Sequence, residues 1–343
     1  MKERSHLMDG LRVLSAHVIV LHHLVSYGPL ASTLEHTWPG LFQVLFQYGR
    51  FATQIFFVMA GYLSAQALMS PRVPSLGVLL LQRYRRLMPT FLLAILSVAL
   101  VVTWLRPWIN QDWLTEPPTV WQCVSHALLI QDLVGQPTMT VGAWYVAIDF
   151  QLFVLLNVLV WGLLRLGTSR EAVVMALAVL CLASQWVFNR DPSWDRWAVY
   201  FFESYGVGAL LAWTLHGSAA ARGTARRVLV LCLLSALVAG WVFPRPRLWI
   251  TVVVCGVLWW GVARWQPSAG VARWLQRQSD RSYALFLTHF APLVVFNAWW
   301  VVGGGESPLW GVALLGVTWA ACVGWSVMFH HSVETLMRMA WRR

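Results

Sequence analysis

Charged residues are scarce in this chain of 343 amino acids. They make up 11% of the sequence, while 58% of it is hydrophobic and the mean hydropathy is +0.60. A water-soluble domain carries about 25% charged residues, so the composition excludes that class and predicts an integral membrane protein. The apolar runs are about 17 to 22 residues long, which is the length that a helix needs to cross ~30 Å of hydrocarbon.

Cysteine is also rare, and the signatures of several common chemistries are missing. The five cysteines stand singly, with no CxxC or Cys/His spacing, so neither a disulfide nor a zinc site is predicted. No GxSxG elbow, P-loop, dinucleotide fingerprint or HExxH motif occurs. We therefore expect no bound metal or cofactor. The net charge of +11 is spread over alternate loops rather than one patch, which argues against a nucleic-acid partner.

Apolar windows bounded by turn signals predict an all-α protein, a polytopic membrane bundle of about ten transmembrane helices. The sequence contains no linker, repeat or soluble insertion, so residues 1–343 are predicted to form one domain. A polar stretch rich in Pro and Trp, residues 106–141, separates the third and fourth spans and contains a candidate short interfacial helix. The predicted spans lie near residues 11–28, 50–69, 87–105, 142–164, 171–188, 198–215, 228–243, 247–263, 282–301 and 309–329.

Basic residues are unevenly divided between the two sides of the predicted membrane. By the positive-inside rule, the richer side is cytoplasmic and holds both termini, in a plasma (inner) membrane of the bacterial type. The basic residues on that side are Lys2, Arg4, Arg72, Arg83, Arg85, Arg86, Arg165, Arg170, Arg222, Arg226, Arg227, Arg264, Arg273, Arg277, Arg281, Arg338, Arg342 and Arg343. Those on the other side are Arg106, Arg190, Arg196, Arg245 and Arg247, with Arg50 near the boundary.

The first span, "DGLRVLSAHVIVLHHLV", carries groups that cost several kcal/mol in hydrocarbon. Arg12 and His23 are eleven residues apart, which is three turns plus about 20°, so they share a helix face and lie roughly 16 Å apart along the axis. Either Arg12 reaches the headgroups while His23 bonds a neighbouring helix, or the two line a polar cavity. Histidine exchanges protons near neutrality, which makes His23 a candidate general base.

Three later segments carry polar groups inside or beside apolar runs. Arg83 and Arg86 are three residues apart on one helical face, where they either bind phosphate or only mark the cytoplasmic side. Asp149 forms either a structural salt bridge or a partner that orients a catalytic base. Ser282 and His289 are seven residues apart, within about 20° of one face, and a packed histidine is as consistent there as a catalytic one.

Five segments in the right order resemble the acyltransferase-3 family of integral membrane O-acyltransferases. In the first, Asp9, Gly10, Arg12 and His23 match an N-terminal pattern in which ten residues separate the Arg from the His. Two positions depart from the family: Ala60 replaces a common Ser, and Asp149, followed by Phe150, replaces a Glu that often precedes a second acidic residue. The segments are "MDGLRVLSAHVIVLHH", "GRFATQIFFVMAGYLSAQ", "LQRYRRLMPTF", "WYVAIDFQLF" and "RSYALFLTHF".

The resemblance implies that an acyl group, usually acetyl, moves from cytoplasmic acyl-CoA to a hydroxyl of a carbohydrate or glycan acceptor. It implies catalytic roles for His23 and Asp149 and donor binding by Arg12, Arg83 and Arg86. The residues expected to line the site are Asp9, Trp144, Gln151, Ser282, Tyr283 and His289. We expect the loops 29–49 and 106–141 to select the acceptor.

A transporter or flippase of a glycan or glycolipid is the alternative function, because buried ionisable groups also mark transport pathways. The sequence shows no inverted repeat and no pair of broken helices at matching positions, so it gives that alternative no specific support.

Overall fold

Each segment predicted as a span is helical in the computed structural model, which describes residues 5–69, 74–305 and 307–340, the side chains of 336–340 excepted. No strand occurs in this part of the chain, so the all-α prediction is confirmed. Lys2, Arg4, Arg72, Arg342 and Arg343, which contribute to the predicted topology, lie outside the described residues, as does the side chain of Arg338. In chain order the α-helices are α1 (His6–Leu24), α2 (Ala31–Thr37), α3 (Pro39–Tyr48), α4 (Thr53–Leu68), α5 (Leu76–Leu105), α6 (Val120–Ala127), α7 (Ala143–Arg165), α8 (Arg170–Trp186), α9 (Ala198–His216), α10 (Ala219–Val242), α11 (Pro246–Gly261), α12 (Ala269–Thr288), α13 (Phe290–Val302) and α14 (Pro308–Ala340).

Fewer helices than predicted meet the length and hydropathy of a membrane span. Within the described residues there are six, or seven if α12 and α13, bent by 52°, count as one span, so the predicted ten is not confirmed. α1 and α9 fall short because polar residues such as Asp9, Arg12 and Glu203 interrupt them, and α11 is shorter than a span. The six segments are Pro39–Leu68, Leu76–Leu105, Ala143–Arg165, Arg170–Arg190, Ala219–Val242 and Pro308–Thr335.

The chain divides into two compact units, of which the first comprises residues 1–8, 53–86 and 145–267. α9 is its centre: every residue from Tyr200 to Thr214 is buried, and the helix packs against α4, α8, α10 and α11. α4 and α9 approach closely at two glycines, whose side chain is a single hydrogen atom. A Cβ at Gly61 would overlap the carbonyl oxygen of Tyr205, and one at Gly208 would overlap that of Val58. The small residues around Gly61 therefore mark a close helix contact.

The second unit comprises residues 9–52, 87–144 and 268–343, and in it α14 packs against α2, α12 and α13. The amide of Asn297 ties α13 to the start of α2, since its Oδ1 accepts from Leu30 N at 2.9 Å. The prediction of a loop over residues 29–49 is wrong. That segment forms α2 and α3, and α3 leads through a 3-10 turn (Gly49–Ala52) into α4.

The polar stretch 106–141 is closed by its own hydrogen bonds. The Arg106 guanidinium pairs with Glu116 and also donates to the carbonyl oxygens of Gln111, at 3.3 Å, and Leu114, at 3.2 Å. Further along, the side chain of Gln122 donates to the carbonyl of residue 137 at 2.8 Å. The stretch is therefore an ordered structure in its own right, although it contains little regular helix.

α6 is the short helix predicted inside this stretch, and it has eight residues. A capping box between Thr119 and Gln122 fixes its start. In its last turn, His126 Nε2 accepts from Met139 N at 3.1 Å, while Nδ1 lies 2.8 Å from the carbonyl oxygen of Gln122. The neutral ring satisfies both contacts, and burial lowers the pKa of His126.

Candidate active site

His23, near the end of α1, and His289, at the junction of α12 and α13, are hydrogen-bonded to each other. His23 Nδ1 lies 2.7 Å from His289 Nε2, and the two ring planes differ by only 5°. His23 is 8% exposed and His289 is fully buried. On its other side, His289 Nδ1 lies 3.2 Å from the carbonyl oxygen of Leu285. The second unit thus joins two histidines that both belong to the segments singled out in the sequence.

Two further histidines of α1, His17 and His22, have different surroundings, as their angular spacing on the helix predicts. His22 Nδ1 lies 3.0 Å from the carbonyl oxygen of Leu45. His17 Nδ1 accepts from the indole Nε1 of Trp319 at 3.3 Å. Neither imidazole bonds another histidine in these contacts, so His23 is the one whose ring extends into a histidine pair.

Asp9 and Arg12 lie one turn apart near the start of α1. Asp9 is almost fully buried, with 1% of its side chain exposed, whereas 33% of the Arg12 side chain is exposed. Their charged atoms are 3.9 Å apart, which is a loose ion pair. Arg12 therefore keeps an accessible guanidinium, and Asp9 provides the counter-charge that lets it remain beside apolar surroundings.

Arg83 on α5 and Asp149 on α7 form an ion pair in the first unit, in which an Arg83 terminal nitrogen donates to Asp149 Oδ2. The Asp149 side chain is 4% exposed and that of Arg83 is 23% exposed. Arg83 Nε and Asp149 Oδ1 are buried and have no hydrogen-bond partner among the described residues. The pair makes one of the two parallel bonds that a guanidinium and a carboxylate can share, so each side retains one polar atom for a further partner.

The phenol of Tyr205, on α9, extends this polar group. Its oxygen lies 2.8 Å from Ser64 Oγ on α4, and the charges of both Arg83 and Asp149 act on it. Arg86, three residues beyond Arg83 on α5, is exposed. The two arginines of the basic motif therefore differ: Arg83 is held by a carboxylate, and Arg86 is accessible.

The remaining predicted lining residues have structural contacts of their own. Ser282 is buried in α12, where its hydroxyl donates to the carbonyl of Ser279 at 2.7 Å. Tyr283 follows it, half-buried, with its hydroxyl 3.4 Å from the carbonyl oxygen of Leu87. Ser282 also lines a small cleft in the second unit, together with polar groups that include His17 and Arg281.

Gln151 and Trp144 lie on α7, and both are half-buried. The amide of Gln151 serves the start of α9: its Oε1 accepts from Ala198 N at 3.1 Å, and its Nε2 donates to the Arg196 carbonyl at 3.4 Å. That pairing satisfies one of the free backbone N–H groups at a helix N-terminus, which gives Gln151 a structural role.

The sequence comparisons agree with this arrangement of motifs. The family profile described as acyltransferase domain, acyltransferase 3, matches residues 6–328, which is nearly the whole chain. The chain belongs to the acyltransferase-3 family. Comparisons with curated proteins and with solved structures gave no match. The resemblance drawn from the motifs is thereby confirmed, and this acyltransferase-3 protein is a multi-pass membrane acyltransferase.

Sequence reasoning missed one buried acid of this acyltransferase-3 protein. Glu203 lies in the middle of the buried face of α9, where its Oε2 accepts from the hydroxyls of Ser204, at 2.8 Å, and Thr251, at 3.1 Å. Its Oε1 has no hydrogen-bond partner among the described residues. The signal that drew attention to Asp149, an acidic residue within an apolar run, is equally present at Glu203.

Proposed function

We propose that this membrane acyltransferase moves an acyl group, acetyl in our proposal, from cytoplasmic acyl-CoA to a hydroxyl of a carbohydrate or glycan acceptor. The observation that supports it most directly concerns His23, which occupies the histidine position of the family's Arg/His motif. His23 is buried and is hydrogen-bonded through Nδ1 to a second buried histidine. A buried, hydrogen-bonded imidazole in a membrane protein is expensive to keep unless it is used. General-base work on an acceptor hydroxyl is a use that fits its chemistry.

We propose direct transfer, a single exchange of bonds; the alternative is a covalent acyl-histidine formed and discharged in two half-reactions, which self-labelling would detect. His23 takes the proton of the acceptor hydroxyl while the hydroxyl oxygen bonds the thioester carbonyl carbon. The carbon–sulfur bond then breaks, and the leaving CoA thiolate takes the proton back from the imidazolium. The products are an acyl ester and free CoA thiol, and the base returns to its starting state.

In this proposal the donor is bound by arginines that differ in exposure and in whether a carboxylate compensates their charge. Arg86, which is exposed, holds the CoA phosphates. Arg83 adds a second guanidinium one turn away, but Asp149 compensates its charge, so Arg86 contributes more of the attraction. Arg12 steadies the oxyanion that develops on the thioester oxygen. The residues proposed to line the site are Asp9, Trp144, Ser282 and Tyr283.

A direct test is to incubate the purified protein in detergent with radiolabelled acetyl-CoA and to follow both free thiol and label. We expect thiol release that increases when a bacterial glycan or glycolipid extract is added, with label transferred to that fraction. A transporter or flippase would release no thiol. The proposal fails if neither thiol release nor self-labelling occurs with acetyl-CoA or with longer acyl-CoA donors.

Two variants separate the proposed roles. His23→Ala is expected to lower kcat by about 100-fold or more, because it removes the base, while Arg86→Ala raises the donor KM by roughly tenfold with little change in kcat. His331→Ala is the control, since His331 is an exposed histidine of α14 outside the proposed site. Turnover by His23→Ala at the rate of the His331→Ala control would remove the base assignment.

A further inference from the structure

The positions of the ring protons in the pair formed by His23 and His289 can be assigned. The assignment starts from the backbone carbonyl oxygen that His289 contacts. A neutral imidazole has one N–H donor and one acceptor nitrogen. The carbonyl oxygen of Leu285 can only accept, so the contact with His289 Nδ1 requires the proton to be on that nitrogen. His289 Nε2 is then the acceptor, and the 2.7 Å contact requires a proton on His23 Nδ1.

The unused nitrogen of His23 follows from the same reasoning. With Nδ1 protonated, Nε2 of His23 carries a lone pair and no proton, which is the form that a general base needs. The opposite direction of donation, from His289 Nε2 to His23 Nδ1, would require either a charged His289 or the loss of the Leu285 contact. Burying a charge in this apolar setting costs far more than two neutral rings in series.

We propose that His289 is a positioning residue that holds His23 in the Nδ1–H tautomer and so presents Nε2 to the acceptor hydroxyl. This inference rests on the proposed function, and it gives His289 the role that sequence reasoning gave to Asp149. When His23 takes the hydroxyl proton on Nε2, its ring becomes an imidazolium. The lone pair of His289 Nε2 then accepts a stronger, charge-assisted hydrogen bond, which stabilises that charge.

The backbone around His289 explains how its ring is kept in place. It is the residue between α12 and α13, which are bent by 52° at this point. Pro292, three residues later, has no N–H to donate to the carbonyl of Thr288, which accounts for the break. The thiol of Cys322, on α14, donates to the carbonyl oxygen of His289 at 3.2 Å. The junction is thus held by a neighbouring helix as well as by its own chain.

The first experiment reads the tautomer directly. Protein with 15N-labelled histidine is reconstituted in lipid, and the two ring nitrogens of His23 are identified by the signals that disappear in His23→Gln. We expect the protonated nitrogen to be Nδ1 in the wild type, and we expect this preference to be lost in His289→Leu. A wild-type His23 protonated on Nε2 would overturn the inference, whatever the activity.

The second experiment tests the role in turnover. His289→Leu removes the acceptor and is expected to lower kcat by about 100-fold or more, as loss of the tautomer-fixing group does in other histidine-based sites, with the donor KM nearly unchanged. His289→Gln places an amide oxygen near the position of Nε2 and is expected to recover most of that loss. If His289→Leu turns over like the wild type, or if Gln restores nothing while the folded fraction is normal, His289 has no positioning role.

The two readouts keep this inference apart from the proposed function. If His23 shows the Nδ1–H tautomer but the protein releases no thiol from any acyl-CoA, the proposed function fails and the tautomer assignment stands as a structural fact only. If the enzyme is active and His23→Ala is not, but His289→Leu leaves tautomer and kcat unchanged, the function stands and the positioning role falls. Thermal unfolding of each variant in detergent shows whether a lost activity is a lost fold.

Discussion

The ion pair between Arg83 and Asp149 shows what one residue reveals in the sequence and what it does not. Asp149 inside an apolar run predicts that a partner exists, because an unpaired carboxylate there is costly. The partner itself lies 66 positions away in the chain, and no periodicity links the two. His23 is a similar case: its helix face was predictable, but its bond to His289, 266 positions away, depends on packing alone.

We expect the loss of Arg83 and the loss of Asp149 to lower the free energy of unfolding by different amounts. Arg83→Leu leaves a buried carboxylate without a partner and should destabilise by about 2–3 kcal/mol, which is below the usual cost for a buried pair because Arg83 is partly exposed. Asp149→Asn should cost less, because Arg83 can still reach solvent. The double variant Arg83→Leu/Asp149→Asn should recover part of the loss seen in Arg83→Leu, which thermal unfolding in detergent measures.

Arg85→Leu is the control for that comparison, since Arg85 is an exposed neighbour on the same helix. It should change stability by less than about 0.5 kcal/mol. Strictly additive losses in the double variant would show that the two side chains do not interact energetically.

At the scale of helices, composition predicted the elements better than their ends or their neighbours. Ten apolar windows led to helices at all ten places, because a continuous apolar run in a membrane protein has few alternatives. The helical structure of residues 31–48 was missed, because Gly, Pro, Ser and Thr near its start read as loop signals. The contact between α4 and α9 was visible only as small residues, which indicate that a close approach occurs but do not identify the partner.

Gly61→Ala tests that contact. The added methyl would meet the backbone of Tyr205 rather than a movable side chain, so we expect a loss of about 1–3 kcal/mol in the free energy of unfolding. Gly162→Ala, in α7, is the matched control, since a methyl there has nothing within 4 Å. A lower midpoint of thermal unfolding for Gly61→Ala, with the control unchanged, is the expected result, and equal midpoints would mean that α4 and α9 separate easily.

At the scale of the whole molecule, the all-α, polytopic class predicted from the sequence is confirmed, whereas the predicted number of ten spans is not. α9, predicted as a span near residues 198–215, falls short of the hydropathy of a span, because other helices bury it along its length and it carries polar residues without exposing them to lipid. The positive-inside rule predicts the side of each loop, and that prediction has its own test in the native cysteines. All five lie within the described residues, and Cys123 is exposed while the other four are buried.

We expect a membrane-impermeant maleimide to label Cys123 in intact cells, because the stretch 106–141 is predicted to face away from the cytoplasm. Cys123→Ser removes the labelling. In Cys123→Ser/Ser218→Cys, the new thiol replaces an exposed serine beside the predicted cytoplasmic Arg222, so labelling should require permeabilised cells. Labelling of the wild type only after permeabilisation, together with labelling of Cys123→Ser/Ser218→Cys in intact cells, would reverse the proposed orientation.

The hydrogen bonds that close the stretch 106–141 on itself have a consequence for engineering. Arg106 satisfies Glu116 and nearby carbonyls, and His126 satisfies Met139, all inside the same segment. A graft between homologues whose junction falls within residues 106–116 or 122–139 would separate some of these donors from their acceptors, whereas one that transplants the whole segment keeps these pairs together. Exchange of the whole segment therefore tests the prediction that residues 106–141 select the acceptor.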